Sequence, residues 1–184
     1  MKRRGNYSHY ENAVESFLQA NCVAYVATNE SKKIITKDGK IKNFDLIILG
    51  KEQLLLDIKG RKYGYEGAPK NLWENWILKE DLVSLKKWCD LFSDNQRSQK
   101  AYLLYAFCLP DLNSAIPEKF KNNVYLFNKR LFAFFVIDIR DYIDNCKQRS
   151  ITPPSVSVSR KLFSSLLKPL SEILKENSSM EVIQ

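Results

Sequence analysis

A chain of 184 residues, 45% of them apolar, is long enough to bury one substantial core and ordinary for a soluble globule. No stretch is long and apolar enough to span a bilayer, and the basic run Lys2-Arg3-Arg4 has no apolar segment behind it; this excludes a secretion signal or membrane anchor and points to the cytoplasm. The formal charge of +8 favours an anionic partner, of which a polyphosphate backbone is the usual one, although excess lysine also serves as plain solubilising surface.

In chain order, residues 7–21 have helical periodicity, with Tyr7, Tyr10, Val14, Phe17 and Leu18 on one stripe. At about 100° per residue, Glu11 projects roughly 20° from Leu18, at the edge of the buried arc, and Glu15 roughly 60° from it, nearer solvent. His9 lies opposite the stripe, and with no partnered Ser or Cys nearby it builds no hydrolase triad. Strands are predicted over 23–28, 41–49 and 53–59. The turn at 50–53 is short enough to make the last two antiparallel neighbours.

Residues 60–76, with three glycines and a proline, read as a long loop that should overhang the end of the third strand. Its Tyr63, Tyr65 and Trp73 suit either stacking on bases or packing, whereas Trp76 leads into a helix and reads as packing. That helix covers 79–92, with Leu78, Leu82, Leu85, Trp88, Cys89 and Phe92 as a core-facing stripe. A strand follows over 101–108, then a hairpin with arms at 123–127 and 131–137 about Asn128-Lys129-Arg130. Asp138 reads as the cap of a short helix over 140–146 and not as a ligand. Residues 150–159, with Pro153-Pro154, form a connector, and an amphipathic helix over 161–174 should break near Pro169. The expected organisation is a single domain over 1–176, with its core at about 7–108 and an extension at about 120–176, followed by a flexible tail at 177–184.

Cys22, Cys89, Cys108 and Cys146 are far apart, none in a Cys-x-x-Cys pair, and the chain has one histidine. A zinc site is therefore not expected, and reduced thiols are.

The chemistry concentrates in residues 43–60. Asp45 stands in one apolar strand and Asp57 in the next, with Lys59 two residues further on. Alternation puts Leu55, Asp57 and Lys59 on one face of their strand and Leu54, Leu56 and Ile58 on the other. An ionised carboxylate beside a core is costly unless paired or coordinated, and two converging carboxylates raise that cost. A hard divalent cation resolves it, because Mg²⁺ favours carboxylate and water oxygens and leaves positions for phosphate. The lysine then stands beside the site, able to orient or deprotonate a water, as metal-assisted phosphodiester hydrolysis requires. Such a triplet is common: Glu30-Ser31-Lys32 and Asp38-Gly39-Lys40 have the same form but lie in polar, turn-like sequence. The basic clusters Lys59-Gly60-Arg61-Lys62 and Lys86-Lys87 are phosphate-binding candidates, the first lying beside the site.

A helix with a glutamate, an Asp in a second strand and Asp-x-Lys in a third resemble the PD-(D/E)xK nuclease superfamily. The resemblance implies an α/β, restriction-endonuclease-like fold with an α-β-β-β-α-β core and a mixed sheet, here carrying a C-terminal hairpin and helices. Within it, His9-Tyr10-Glu11-Asn12-Ala13-Val14-Glu15 is similar to the signature of the HYExAFE family, bacterial proteins without an established activity, with Val14 where that signature has Phe. Asp57-Ile58-Lys59-Gly60-Arg61 and Glu74-Asn75-Trp76 extend that likeness.

The superfamily implies Mg²⁺-dependent cleavage of nucleic acid, probed first as DNA, with Mn²⁺ able to substitute. Glu11, Asp45, Asp57 and Lys59 match its motif. Asp45, Asp57 and the carbonyl of Ile58 would hold the ion, Glu11 would bind directly or through water, and Arg61, Lys62, Tyr63 and Tyr65 would meet the nucleic acid. Many members dimerise to cut both strands, so a homodimer is compatible with the resemblance, although no face for it is recognisable. The alternative is a nucleic-acid-binding module on the same fold with weak or lost catalysis. A third reading is a structural domain whose acidic residues pair internally with Lys59 and Arg61.

Overall fold

The computed structural model describes residues 9–29, 32, 34–36, 39–63, 74–92, 99–109 and 118–178. Helix α1 (His9–Ala20) is followed by β1 (Tyr25–Ala27), a small hairpin of β2 (Ile34–Thr36) and β3 (Gly39–Ile41), then β4 (Leu46–Ile48) and the long β5 (Gln53–Lys62). Next come β6 (Ile77–Leu78), α2 (Lys79–Phe92), β7 (Gln99–Leu109), α3 (Glu118–Lys121), β8 (Val124–Phe127) and β9 (Arg130–Asp138). The chain continues through α4 (Ile139–Asn145), β10 (Lys147–Ser150), β11 (Ser155–Ser157), α5 (Arg160–Leu166), β12 (Lys168–Pro169) and α6 (Leu170–Asn177).

The principal sheet is mixed, in the order β1-β4-β5-β7-β9-β12 with β8 on β9. Strands β5 and β7 run parallel, and α2 lies in the connection between them, which a parallel pair cannot make with a tight turn. The pairs β1–β4, β4–β5, β7–β9 and β8–β9 are antiparallel. The α-β-β-β-α-β order expected from the sequence is thus α1, β1, β4, β5, α2, β7, and the protein is a mixed α/β fold.

Two apolar layers follow from alternation along the strands. On one face Leu54, Leu56, Leu104, Ala106 and Val136 pack with Ala13, Val14 and Leu18 of α1 and with Leu170 and Ile173 of α6. On the other, Leu55, Leu103, Tyr105 and Phe135 pack with Leu82 and Leu85 of α2 and with Tyr142 and Phe163. Leu55 and its neighbours Leu54 and Leu56 therefore divide between the faces as the period of two requires.

Several expectations are refined. The strand expected over 41–49 divides into β3 and β4, because the chain between them is fastened to α2: the Trp88 indole donates to the Lys42 carbonyl at 2.9 Å and the Lys42 amide donates to Ser84 Oγ at 3.2 Å. Strand β5 continues three residues past Lys59, since β7 is equally long and pairs with it as far as Lys62↔Cys108. The connector at 150–159 contains β11, which joins β10 to β6 in a second small sheet. Asp138 caps α4 by accepting the Arg140 amide at 2.8 Å, as read from the sequence. The final helix breaks as expected, into α5 and α6, with Pro169 on the edge strand β12. Of the tail expected over 177–184, Asn177 instead ends α6 and is buried against Glu52, and residues 179–184 lie outside the described residues.

Candidate active site

The ladder between β4 and β5 runs from Ile48↔Leu54 to Leu46↔Leu56, and Asp45 stands at its end. The Asp45 amide donates to the Leu56 carbonyl at 2.9 Å, and the Asp45 carboxylate accepts the amide of Ile58. A side chain here takes over the acceptor role that another strand residue would have filled. Asp45 is consequently only 6% exposed while its carboxylate is hydrogen-bonded.

Asp57 and Lys59 lie on the α2 face, as alternation from Leu55 predicts. The Lys59 ammonium is 2.7 Å from Asp57 Oδ2 and 2.6 Å from Asp81 Oδ2, an aspartate in the first turn of α2. Asp81 Oδ1 is in turn 2.8 Å from the ammonium of Lys42. Two lysines and two aspartates thus alternate in a neutral chain of charges, with Asp57 and Asp81 side chains 9% and 5% exposed, Lys59 12% and Lys42 31%. Lys42, Asp57 and Asp81 border a narrow cleft with Asn43, Phe44, Ser84 and Leu85.

The two contacts of Lys59 differ in kind. The one to Asp81 is a hydrogen bond, whereas the one to Asp57 is a close ion pair. Asp57 Oδ2 therefore receives no hydrogen bond from any described residue although it is buried. Burial, reinforced by the charge of Asp81, pushes the Asp57 carboxyl above its usual range, against the opposing pull of Lys59. Burial also works against ionisation of Asp81, but Lys59 and then Lys42 outweigh it and hold that carboxyl below its usual range. For Lys59, burial alone would favour the neutral amine; Asp57 and Asp81 together keep the ammonium well above the ordinary lysine value.

Glu11 occupies the first turn of α1, half-buried, on the helix that packs against the opposite face from Asp57. That turn meets β5 at Gly60, where the ring of Tyr10 fills the space a Cβ would need. Glu15 is tied to the edge strand, accepting the Tyr25 hydroxyl at 2.8 Å. Among the described residues, no three His, Cys, Asp or Glu side chains converge as a group that could hold a metal. The structure brings Asp57 and Lys59 together on β5, sets Asp45, just before β4, against Ile58 of that strand, and does not gather Glu11 into the same cluster.

The expected nucleic-acid contacts are partly redirected. Where a phosphate contact was expected, Arg61 donates to three backbone carbonyls, Glu74 at 2.8 Å, Gly60 at 2.9 Å and Trp76 at 2.6 Å. Its guanidinium also lies over the rings of Trp76 and Tyr105. Arg61 clamps the chain leading into β6, because its planar fork matches clustered carbonyls better than a lone surface charge would. Tyr63 is packed edge-on to Phe107 and Phe120, with ring centroids at 6.3 and 5.0 Å, so it fills core space instead of offering a stacking face. Trp76 packs as expected, between Arg61 and Arg149. Lys62 is exposed at the end of β5. Tyr65, Trp73, the 64–73 part of the expected loop and the N-terminal basic run lie outside the described residues. His9 is exposed, as expected; partial burial and the nearby Arg130 and Lys62 lower its pKa.

Sequence reasoning missed Asp81 and Lys42. Asp81 was accessible to it: residues 81, 85 and 88 fall on one helical row, so a carboxylate stands on the apolar stripe of Leu85 and Trp88. Lys42 carried no such mark, since its place depends on how the chain between β3 and β4 crosses α2.

In overall structure the chain is similar to Hjc, a Holliday junction resolvase from the archaeal hyperthermophile Archaeoglobus fulgidus. The TM-score is 0.49 with 11% identity, and the similarity covers 91% of this chain and 97% of that one. No family model matches the sequence, and no curated protein matches it. The HYExAFE likeness accordingly rests on the motif residues quoted above. Among the described residues, no helix is long and apolar enough to cross a membrane.

Proposed function

We propose that this protein is a nuclease of the PD-(D/E)xK kind that hydrolyses phosphodiester bonds in DNA with the help of Mg²⁺. The observation that supports this most is the state of Asp57: a buried carboxylate in the middle of a central strand, beside a buried lysine, with an oxygen that no described group hydrogen-bonds. A buried carboxylate oxygen with an ammonium close by but no aligned hydrogen bond can take a hard cation as a ligand, so the residues fit the ion. Asp45, Asp57 and the Ile58 carbonyl would hold it, and Glu11 would join directly or through a water. When bound, a divalent ion polarises the phosphate and lowers the pKa of a coordinated water.

The remaining work falls to the protein. Lys59, held between two carboxylates, orients the attacking water or stabilises charge growing on a phosphate oxygen. Lys62, exposed beyond it, meets a neighbouring phosphate, and the chain's positive charge draws the polyanion in. Hydrolysis by this route leaves a 5′-phosphate.

The test is incubation of the purified protein with linear, circular, branched and single-stranded DNA, with and without Mg²⁺ or Mn²⁺. Metal-dependent cleavage is expected, and Asp57→Ala should abolish it while leaving the melting temperature little changed. Cleavage that survives Asp57→Ala would end the proposal. One observation favours a second reading, an inert domain with internal ion pairs: Lys59 already bridges Asp57 and Asp81. That reading requires that Mg²⁺ leave thermal stability unchanged, whereas an ion bound by the native state alone must raise it.

A further inference from the structure

Lys59 sits within 2.7 Å of two carboxylates, yet only Asp81 meets it in hydrogen-bonding geometry. An ammonium has three donors and no directional preference beyond those bonds, so the group that accepts an aligned bond determines where the nitrogen rests. Resting on the nuclease reading above, we propose that Asp81 of α2 is the positioning residue for Lys59. It holds the ammonium beside Asp57 from the α2 side of the cluster. Lys42 serves this arrangement at one remove, because its ammonium occupies Asp81 Oδ1 at 2.8 Å and leaves Oδ2 for Lys59.

The surroundings fix Asp81 as firmly as a positioning role demands. Its helix packs through Leu82 and Leu85 into the core, and the segment bearing Lys42 is fastened to the same helix by Ser84 and Trp88. Lys42 and Asp81 are therefore fastened together on α2, while Lys59 and Asp57 belong to the sheet. A purely structural salt bridge gains little from this arrangement, since burying two carboxylates and an ammonium costs more than an apolar cluster of the same volume. Holding a reactive nitrogen within a fraction of an ångström does gain from it, because misplacement by about 1 Å costs on the order of 100-fold in rate.

The experiment compares Asp81→Asn, Asp81→Glu and the charge-balanced pair Asp81→Asn with Lys42→Met, which keeps the cluster neutral should Asp81→Asn alone fold poorly. Two readouts are taken. The first is the Nζ resonance of Lys59 in ¹⁵N-labelled protein without metal, which reports an ordered ammonium independently of any activity. The second is kcat and KM for Mg²⁺-dependent DNA cleavage. Asp81→Asn and the pair should both broaden or lose the ordered Lys59 signal and lower kcat about 100-fold with KM unchanged. Asp81→Glu should recover part of each. An unchanged Lys59 signal in the pair overturns the positioning role, as does a fall in melting temperature with kcat intact. Wild-type protein that cleaves nothing while the Lys59 signal still depends on Asp81 would overturn the nuclease reading instead, so the two failures are distinguishable.

Discussion

Two polar clusters are buried on the same face of the sheet, and they are built on opposite plans. Around Asn75 both side-chain heteroatoms and the carbonyl are hydrogen-bonded, and the partners are neutral. The Asn75 amide donates to the Val158 carbonyl at 2.8 Å and accepts the Val158 amide at 3.1 Å, while the hydroxyls of Tyr105 and Tyr142 both donate to the Asn75 carbonyl. Around Lys59 every partner is charged, and one carboxylate oxygen has no hydrogen bond from a described residue. A closed neutral network ties three segments into one core and has no capacity left for a ligand. An open charged one is poorly suited to holding a fold together and well suited to receiving a cation or a phosphate. Neighbouring polar residues in one core thus divide into a closed set and an open set by how completely their bonds are satisfied.

Lys59→Ala should show the largest effect and show it twice. Loss of the amine is expected to lower cleavage by about 10²–10⁴-fold, and leaving Asp57 and Asp81 buried without it should cost about 3–5 kcal/mol of stability. Kinetics normalised to folded protein, together with urea unfolding, separate the two. Asn75→Ala should give the complementary pattern. Stranding the buried amide and carbonyl of Val158 is expected to cost about 2–4 kcal/mol, with kcat per folded molecule unchanged. Equal kinetic damage from both substitutions would erase the contrast between the clusters.

Gly60→Ala probes the site from the other face. A methyl group there meets the Tyr10 ring, so the first turn of α1, with Glu11 on it, must shift. A cost of about 1–3 kcal/mol is expected, with a weaker stabilisation by Mg²⁺ if Glu11 contributes to the ion.

The smallest effect lies at the acid end of the stability curve. The Asp81 carboxyl is held below its ordinary range by Lys59 and Lys42 in spite of burial, so in the folded state it releases its proton more readily than in the unfolded chain. Its contribution is fully present above the ordinary carboxylate range and is lost as pH falls through the depressed folded value. Thermal scans should show this acid-side loss in the wild type and a shallower one in Asp81→Asn. The Asn75 cluster, having no ionised member, should contribute none of it.

Much of this arrangement is legible in the sequence, for identifiable reasons. Alternation alone assigns Leu55, Asp57 and Lys59 to one face, and helical spacing alone places Leu82, Leu85 and Trp88 against the core. The positions of Asp57 and Lys59 follow from local rules, because a strand has only two sides. Who stands opposite them does not. Asp81 approaches Lys59 across 22 residues and Lys42 approaches Asp81 across 39, and both meetings depend on how α2 settles on the sheet. Arg61 illustrates the same limit. Its place in a basic run suggested a phosphate contact, yet Glu74 and Trp76 return to offer it carbonyls, a fact that no short window of sequence contains.

The turn between β4 and β5 is not self-sufficient. Asn177, at the end of α6, presses against Gly50, accepts the Lys51 amide through its carbonyl and the Glu52 amide through its side chain, and donates to the Glu52 carbonyl. The hairpin that sets Asp45 beside Asp57 is therefore latched by a residue 125 positions downstream. During synthesis this hairpin gains its α6 latch only after that helix has emerged, long after Asp45 and Asp57 have been made.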